Sequence, residues 1–320
     1  MKILVTGANG FVGNALVRQL LADNYEVTGT VRSTESRLPE GVYRFLIPNI
    51  LDVTHWHTIL ESVNVVIHTA ARVHVMDDSV ADPLLEFRKV NVDATLNLAR
   101  QAADAGVKRF IFISSIKVNG ELTQLDQPFK PNDNYIPTDP YGLSKYEAEQ
   151  GLLDIADETG LEVVIIRPPL IYGPNVKANF ASMIKWVNKG IPLPLGVIHN
   201  QRSLVALDNL VSFIIHCIDH SKAANETFLI SDGEDVSTTE LLQKVASAFG
   251  KKARLIPVSV SLMTFMARLV GKGAMATRLF GSLQVDSSKA RKLLDWQPVI
   301  TMDEQLNKTV EAYLENEKTT

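Results

Sequence analysis

Tyr141 and Lys145, in the stretch "DPYGLSKYEAEQ" of residues 139–150, set a phenol and an ammonium four positions apart. The stretch reads as the start of a helix, where that spacing puts both groups on one face. A free phenol titrates near ~10 and is a poor proton shuttle at neutral pH. A neighbouring ammonium favours the phenolate, so the pair can pass a proton to or from a substrate oxygen. A solvated surface pair is the plain alternative, and it is the usual outcome for Tyr-x-x-x-Lys in an arbitrary chain. The remaining residues have to decide between the two.

Gly7, Gly10 and Gly13, in "VTGANGFVG", supply a second device. They follow an apolar run that reads as a strand and open a pattern that reads as a helix. Gly7 permits a tight turn, Gly10 lets backbone N–H groups approach a pyrophosphate, and Gly13 lets helix and strand pack closely. Unpaired donors and the positive end of the helix dipole then face the phosphates. A helix-entry turn without a ligand is the bland alternative.

The second strand, "YEVTGTVR", bears on which dinucleotide is bound. NAD-binding units commonly end it with a carboxylate that accepts from the ribose hydroxyls. Here the position is about Val31, Arg32 follows, and no carboxylate is available. An arginine can pair with a 2′-phosphate instead, with Ser33 and Arg37 beside it. NADP(H) is therefore expected, with NAD(H) held without the acid as the alternative.

The elements that must position these groups alternate. "KILVTG", "YEVTGTVR", "VNVVIHTAA", "KRFIFISS" and "LEVVIIRP" read as strands. Between them lie helical patterns at "GNALVRQLLADN", "DVTHWHTILES", "PLLEFRKVNVDATLNLARQAADAG" and "YGLSKYEAEQGLLDIADETG". Strands so rich in Val, Ile and Phe are buried on both faces, which predicts an α/β fold with a doubly wound parallel sheet. After Arg167 the rhythm breaks into "RPPLIYGP" and "NKGIPLPLG". A smaller mixed α/β C-terminal substrate-binding domain is expected from residue 171 to 320, after a dinucleotide-binding domain of residues 1–170. The two are expected to exchange strands, and residues 316–320 read as a frayed tail.

Bulk properties exclude several classes. A chain of 320 residues can hold about two domains, and its net charge of −4 offers no general attraction to nucleic acid or an anionic membrane. The single cysteine, Cys217, lies in an apolar run and is expected as a buried thiol, in keeping with a reducing cytoplasm. No window reaches the length of a membrane span, and the N-terminus does not read as a signal peptide. Residues 261–283 are amphipathic and basic. A membrane-surface helix is one reading; a helix packed on the body is the expectation. His55 and His57, and His74 with Asp77 and Asp78, fit no standard metal site, so no metal is expected.

Taken in order, "TGANGFVG", "VIHTAA", "NVDATLNL", "FISSIKVNG", "YGLSK", "RPPLIYGP", "RSLVALDNL" and "DSSKARKLLDW" make the chain resemble the extended short-chain dehydrogenase/reductases of the NAD-dependent epimerase/dehydratase family, with a Rossmann dinucleotide-binding domain. Within it the resemblance is greatest to the UDP-glucose 4-epimerase-like branch that includes 4-ketoreductases of UDP-N-acetyl-6-deoxyhexosamines, used for surface polysaccharide. By motif position, the resemblance makes Tyr141, Lys145 and Ser115 catalytic. It assigns Asn9, Phe11 and Val12 to the cofactor with the three glycines, together with Arg32, Asn49, His68, Ala70, Ala71, Asn91, Pro168 and Leu170. Asn179, Arg202 and Arg278 match positions on the nucleotide-sugar diphosphate. Lys117 is open to two readings, a sugar contact or a solvated loop charge. Ala206 and Asn209 depart from the family pattern, away from the hydride chemistry.

A 4,6-dehydratase of this family carries an Asp-Glu pair after the strand hydroxyl; Ile116 and Lys117 stand there, so dehydration is rejected. An epimerase returns its hydride, whereas a reductase consumes NADPH. With Arg32 pointing to a phosphate-bearing cofactor, a UDP-4-keto-6-deoxy-N-acetylhexosamine reductase is expected, a UDP-sugar 4-epimerase is the alternative, and a non-catalytic dinucleotide sensor a third reading. Relatives of the sensor kind lose the tyrosine or the lysine, and both are present here. The resemblance also implies a homodimer through the helical stretches near 84–104 and 142–159.

Overall fold

The computed structural model describes residues 1–52, 55–73, 82–271 and 273–319, so His74, Asp77 and Asp78 lie outside the described residues. In chain order the elements begin with β1 (Lys2–Thr6), α1 (Phe11–Ala22), β2 (Glu26–Val31), β3 (Tyr43–Leu46), α2 (His57–Leu60) and β4 (Val65–His68). Next come α3 (Pro83–Arg88), α4 (Ala94–Asp104), β5 (Arg109–Ile113), α5 (Pro140–Thr159), β6 (Glu162–Arg167), β7 (Leu170–Tyr172), α6 (Ala178–Asn188), β8 (Arg202–Ala206) and α7 (Leu207–His216). The chain closes with β9 (Glu226–Leu229), β10 (Asp235–Val236), α8 (Thr238–Ala248), α9 (Val260–Leu269), α10 (Gly273–Phe280), α11 (Ser288–Leu294) and α12 (Met302–Thr319).

Seven strands form one parallel sheet in the order β3-β2-β1-β4-β5-β6-β9. Successive side chains of a strand point to opposite faces, so an all-apolar strand feeds two cores. Ile3, Val5, Ile67 and Ile111 meet Leu16 and Leu20 of α1 and Phe213 of α7 on one face. Leu4, Val66, Phe110 and Phe112 meet Leu98 of α4 and Leu152 and Ile155 of α5 on the other. Each such buried side chain contributes about 1.5–3 kcal/mol of transfer free energy. The expected doubly wound parallel sheet is what these residues build.

A second, mixed sheet runs β10-β8-β7, with β7 and β8 parallel and β10 antiparallel to β8. Its own core joins Tyr172, Phe180, Leu204, Leu242 and Leu306. Strand β9 follows this sheet's first members in sequence yet pairs with β6 in the large sheet.

Four stretches differ from the sequence reading. The helix expected over residues 52–62 contracts, among the described residues, to a 3-10 turn (Ile50–Asp52) and the four residues of α2. Trp56 is instead pinned: its side chain is buried and its backbone N–H donates to Gln101 Oε1 at 2.7 Å. The helix expected over residues 83–106 is interrupted by a π-helical turn (Lys89–Asp93) between α3 and α4. The supposed tail continues α12 to Thr319, tied by Tyr313 Oη donating to Glu317 at 2.7 Å and Asn188 Nδ2 donating to Glu317 at 3.3 Å. The amphipathic stretch expected to pack on the body forms α9 and α10, and no residue of α9 is buried. Among the described residues no helix is long and apolar enough to cross a membrane.

Candidate active site

The carboxyl ends of β1, β4, β5 and β6 bring the sequence's candidates to one edge of the large sheet. Gly7 takes φ +68°, a left-handed conformation open to glycine. A Cβ at Gly13 would stand 2.2 Å from the Gly7 carbonyl oxygen, so α1 lies against the turn as closely as backbone allows. Gly10 caps α1 without a side chain, and the first turn holds no acid. The N–H groups at this helix start, from Phe11 to Gly13, have no intrahelical acceptor and point outward with the dipole. Asn9 donates to Ser36 Oγ at 2.9 Å, which ties the turn to the loop after β2. In that loop Arg32 is exposed and makes no ion pair among the described residues. Asn49, after β3, accepts from the Leu51 N–H at 3.2 Å and closes a local turn.

His68, at the end of β4, is fully enclosed. Its Nδ1 lies 2.8 Å from Thr6 Oγ1 and its Nε2 3.0 Å from Thr95 Oγ1. Burial first, and the nearby Lys145 charge second, lower its pKa to about 3. The ring is therefore neutral at pH 7, with one nitrogen donating and the other accepting. It clamps β1 to α4 and lies beneath the turn that carries Ala70 and Ala71. Asn91, in the π-helical turn, donates to the Arg72 carbonyl and to Ser144 Oγ, both at 3.0 Å, and accepts from the Arg72 N–H at 2.8 Å. Its amide thus fixes the turn after β4 to the start of α5.

Helix α5 begins with Asp139, whose side chain accepts from the Gly142 N–H at 3.1 Å, followed by Pro140 in the first turn. This cap sets Tyr141 at the rim, its ring edge-on to Phe87 with centroids 5.9 Å apart. The Tyr141 hydroxyl is hydrogen bonded to Ser115. Ser115, two residues past β5, caps the short turn Ile116–Val118 through the Lys117 N–H, at 3.3 Å. Pro168 touches the same turn, its carbonyl accepting from the Ile116 N–H at 3.0 Å, while Leu170 presents an exposed side chain beyond it.

The electrostatics differ from the expectation that Lys145 lowers the phenol. Burial raises Tyr141 to about 12; the Ser115 bond pulls it down, and Asp139 pushes it up. Lys145 is absent from these influences because its ammonium points inward. Nζ donates to the Ile113 carbonyl at 2.8 Å and stands 4.2 Å over the Phe112 ring. Burial lowers Lys145 to about 7, opposed by the Glu149 charge.

Glu149, two turns beyond Tyr141 on α5, is a residue the sequence reading passed over. It is fully buried and pairs with Arg167, which bonds both carboxylate oxygens. Ser114 Oγ also donates to Glu149, and Arg167 Nη1 donates to Asn119 Oδ1 at 2.9 Å. This network joins β5, β6 and α5 behind the tyrosine. Its signal lay in the spacing of Glu149 four residues after Lys145. Asp139 was legible as well, as an acid directly before Pro140 at a helix start.

Lys117 is not a free loop charge. Nζ bonds Asp139 at 3.1 Å and Glu121 at 3.0 Å, and lies 5.9 Å from the Tyr141 ring centroid. Glu121 in turn holds Arg278 at 2.9 Å, and Arg202 Nη1 donates to the Arg278 carbonyl at 2.7 Å. Lys117, Arg278 and Arg202 thus form one chain of contacts leading from Tyr141 to α10. Asn179 stands exposed in the first turn of α6, and no hydrogen bond links it to that chain among the described residues. Asn209 is structural: it donates to Asp232 at 2.7 Å and to the Ile300 carbonyl at 2.9 Å. No group of three or more metal-ligating side chains occurs among the described residues.

Residues 3–231 match the NAD dependent epimerase/dehydratase family. The UDP-glucose 4-epimerase of Vibrio cholerae is 50% identical over 316 residues, 98% of this chain and 96% of that protein. A Thermotoga maritima UDP-glucose 4-epimerase solved with UDP-glucose superposes at TM-score 0.75 and 25% identity, covering 99% of this chain and all of that one. A Bacillus cereus UDP-glucuronic acid 4-epimerase in complex with NAD has the same fold, at TM-score 0.79 and 22% identity over 98% of this chain and 99% of that one.

Proposed function

The chain belongs to the NAD dependent epimerase/dehydratase family, an enzyme family of extended short-chain dehydrogenase/reductases, and from that premise we propose that it interconverts the C4 epimers of a UDP-hexose with one NAD retained through the cycle. The observation that carries this reading is the half-identity, over nearly the whole chain, to the Vibrio cholerae UDP-glucose 4-epimerase. It favours the epimerase over the net reductase expected from sequence. That expectation leaned on Arg32, whose exposed position is equally open to a phosphate or to water.

The glycine turn fits a dinucleotide. A Cβ at Gly13 would collide with the Gly7 carbonyl, and one at Gly10 would come within 3.1 Å of it, so the backbone at the start of α1 is bare where a diphosphate needs it. In this reading the N–H groups from Asn9 to Gly13 hold the diphosphate, and Arg32 and Asn49 flank the adenosine end. His68, Ala70, Ala71, Asn91, Pro168 and Leu170 build the nicotinamide end. When bound, NAD supplies the hydride acceptor and donor for C4.

The protein's own groups handle the proton. Tyr141 takes it from the C4 hydroxyl and returns it to the oxygen of the turned sugar. Ser115 stands between the same oxygen and the tyrosine, its one proton bonding one of them at a time, and its bond to Tyr141 lowers the phenol toward a working range. Lys145, lowered to about 7, carries a partial positive charge at neutral pH that Glu149 helps to retain. Lys117, Asn179, Arg202 and Arg278 are assigned to the nucleotide-sugar. Ile116 and Lys117 leave no carboxylate beside Ser115 for elimination of water. We further take residues 1–170 as the dinucleotide unit and 171–320 as the sugar unit, with β9 returning to the first. A homodimer on α4 and α5, and a cytoplasmic home suited to the buried Cys217, complete the reading.

The test is incubation of the full chain with UDP-glucose, UDP-galactose or their N-acetylated forms, with products read by NMR. Interconversion without net change in NADH is expected. Consumption of NADPH on a UDP-4-keto sugar without interconversion would replace the epimerase by the reductase. Tight dinucleotide binding with neither activity would leave a sensor.

A further inference from the structure

From residue 251 to 284 the chain carries Lys251, Lys252, Arg254, Arg268, Lys272 and Arg278 and no Asp or Glu, within a protein of net charge −4. The same stretch contains α9, capped by Ser259, whose Oγ accepts from the Leu262 N–H at 3.4 Å. Leu262, Phe265, Met266 and Leu269 recur at i, i+3, i+4 and i+7, the spacing of an apolar stripe. In a helix packed on a core this stripe faces inward. Here the four side chains are 53%, 58%, 52% and 65% exposed, and Val270 beyond them is 65% exposed. The half-buried positions of α9 include Met263, Thr264 and Ala267, and the helix packs against α10. Arg268 flanks the stripe, exposed and without an ion pair among the described residues.

We propose that α9 is a docking surface for an anionic phospholipid bilayer, lying in the plane of the headgroups with Leu262, Phe265, Met266 and Leu269 inserted. Two independent features select this occupant. A contiguous apolar stripe left in water marks an interaction surface. A surrounding segment with six cations and no acid matches a negatively charged partner, and an apolar stripe with basic flanks is the pattern of an interfacial helix. The helix is too short to span, so the contact is peripheral and reversible. Its neighbour α10 ends on Arg202, which accounts for the functional sense of the contact: docking would hold the sugar side of the molecule near the membrane surface.

The experiment is flotation of the full chain with vesicles of phosphatidylcholine alone or mixed with phosphatidylglycerol. Binding to the anionic vesicles is expected, weakened about tenfold or more on phosphatidylcholine and released by salt. Phe265→Glu with Leu269→Glu should abolish it by a similar factor, without change in melting temperature or sugar turnover, because neither side chain packs in a core. Arg268→Glu should weaken it severalfold. If the wild-type chain ignores anionic vesicles, the proposal is wrong. It is equally wrong if sedimentation shows the chain associating with itself through this face, in a manner lost in the double variant, while vesicles stay unbound. Both outcomes are read without reference to turnover, so they leave the epimerase assignment standing.

Discussion

Acidifying the protein should strain it at one ring. His68 is neutral in the folded chain, with its pKa lowered from 6.5 to about 3 by burial and by Lys145. The unfolded chain takes up a proton at that ring below about 6.5, while the folded chain refuses it until about 3. The unfolded state thus binds more protons across this window, and stability falls as pH falls. Above 6.5 the contribution is fully present. Each pH unit below costs about 1.4 kcal/mol, hence ~3 kcal/mol by pH 4.5 and ~5 kcal/mol at the end of the window. Set against a domain stability of about 5–15 kcal/mol, that is a large fraction. Urea unfolding followed by tryptophan fluorescence, at steps from pH 6.5 to 4.5, reads the slope below the range in which Lys145 titrates. His68→Gln keeps a donor and an acceptor for Thr6 and Thr95, and should cost ~1–2 kcal/mol at pH 6.5. It should also remove about one proton from the slope, so that the variant overtakes the wild type at roughly pH 5–5.8, well before pH 4.5. Parallel slopes for the two proteins would refute a buried neutral imidazole.

Tyr141→Phe should lower turnover of the sugar by about 10²–10⁴ while NAD affinity, measured by calorimetry, holds within severalfold; retained turnover would remove the tyrosine from the chemistry. Gly13→Ala should destabilise the fold by ~1–3 kcal/mol, because its Cβ must displace α1 from the Gly7 carbonyl. In a thermal shift assay the same variant should lose most of the stabilisation that added NAD gives the wild type.

Much of this layout could be read from residue types alone. The runs in "KRFIFISS" and "LEVVIIRP" are apolar on both faces, which only a covered parallel sheet satisfies, and they became β5 and β6. The glycine spacing was equally legible, since Gly7 and Gly13 meet at a distance no Cβ tolerates. What spacing could not supply was direction. Tyr141 and Lys145 do share a helix, but the ammonium turns to the Ile113 carbonyl rather than toward the phenol, a choice made by β5. Glu149 and Arg167, 18 positions apart, find each other only once β6 and α5 are packed. The π-helical turn around Asn91 answers to Arg72 and Ser144, both distant in sequence. In α9 the periodicity announced a stripe and left open what would cover it.

The return of β9 to the large sheet has a consequence for how such a protein can be divided. The final parallel strand is threaded in only after β7, β8 and α7 have been laid down. Severing the chain after β6 would bare that strand's outer rail of amide and carbonyl groups, an invitation to stick to neighbours. On the proposed division, the dinucleotide unit and the sugar unit are thus sewn together by β9 as well as by α7 packed on the large sheet, and a new sugar preference has to arise by altering residues in place rather than by exchanging one unit for another.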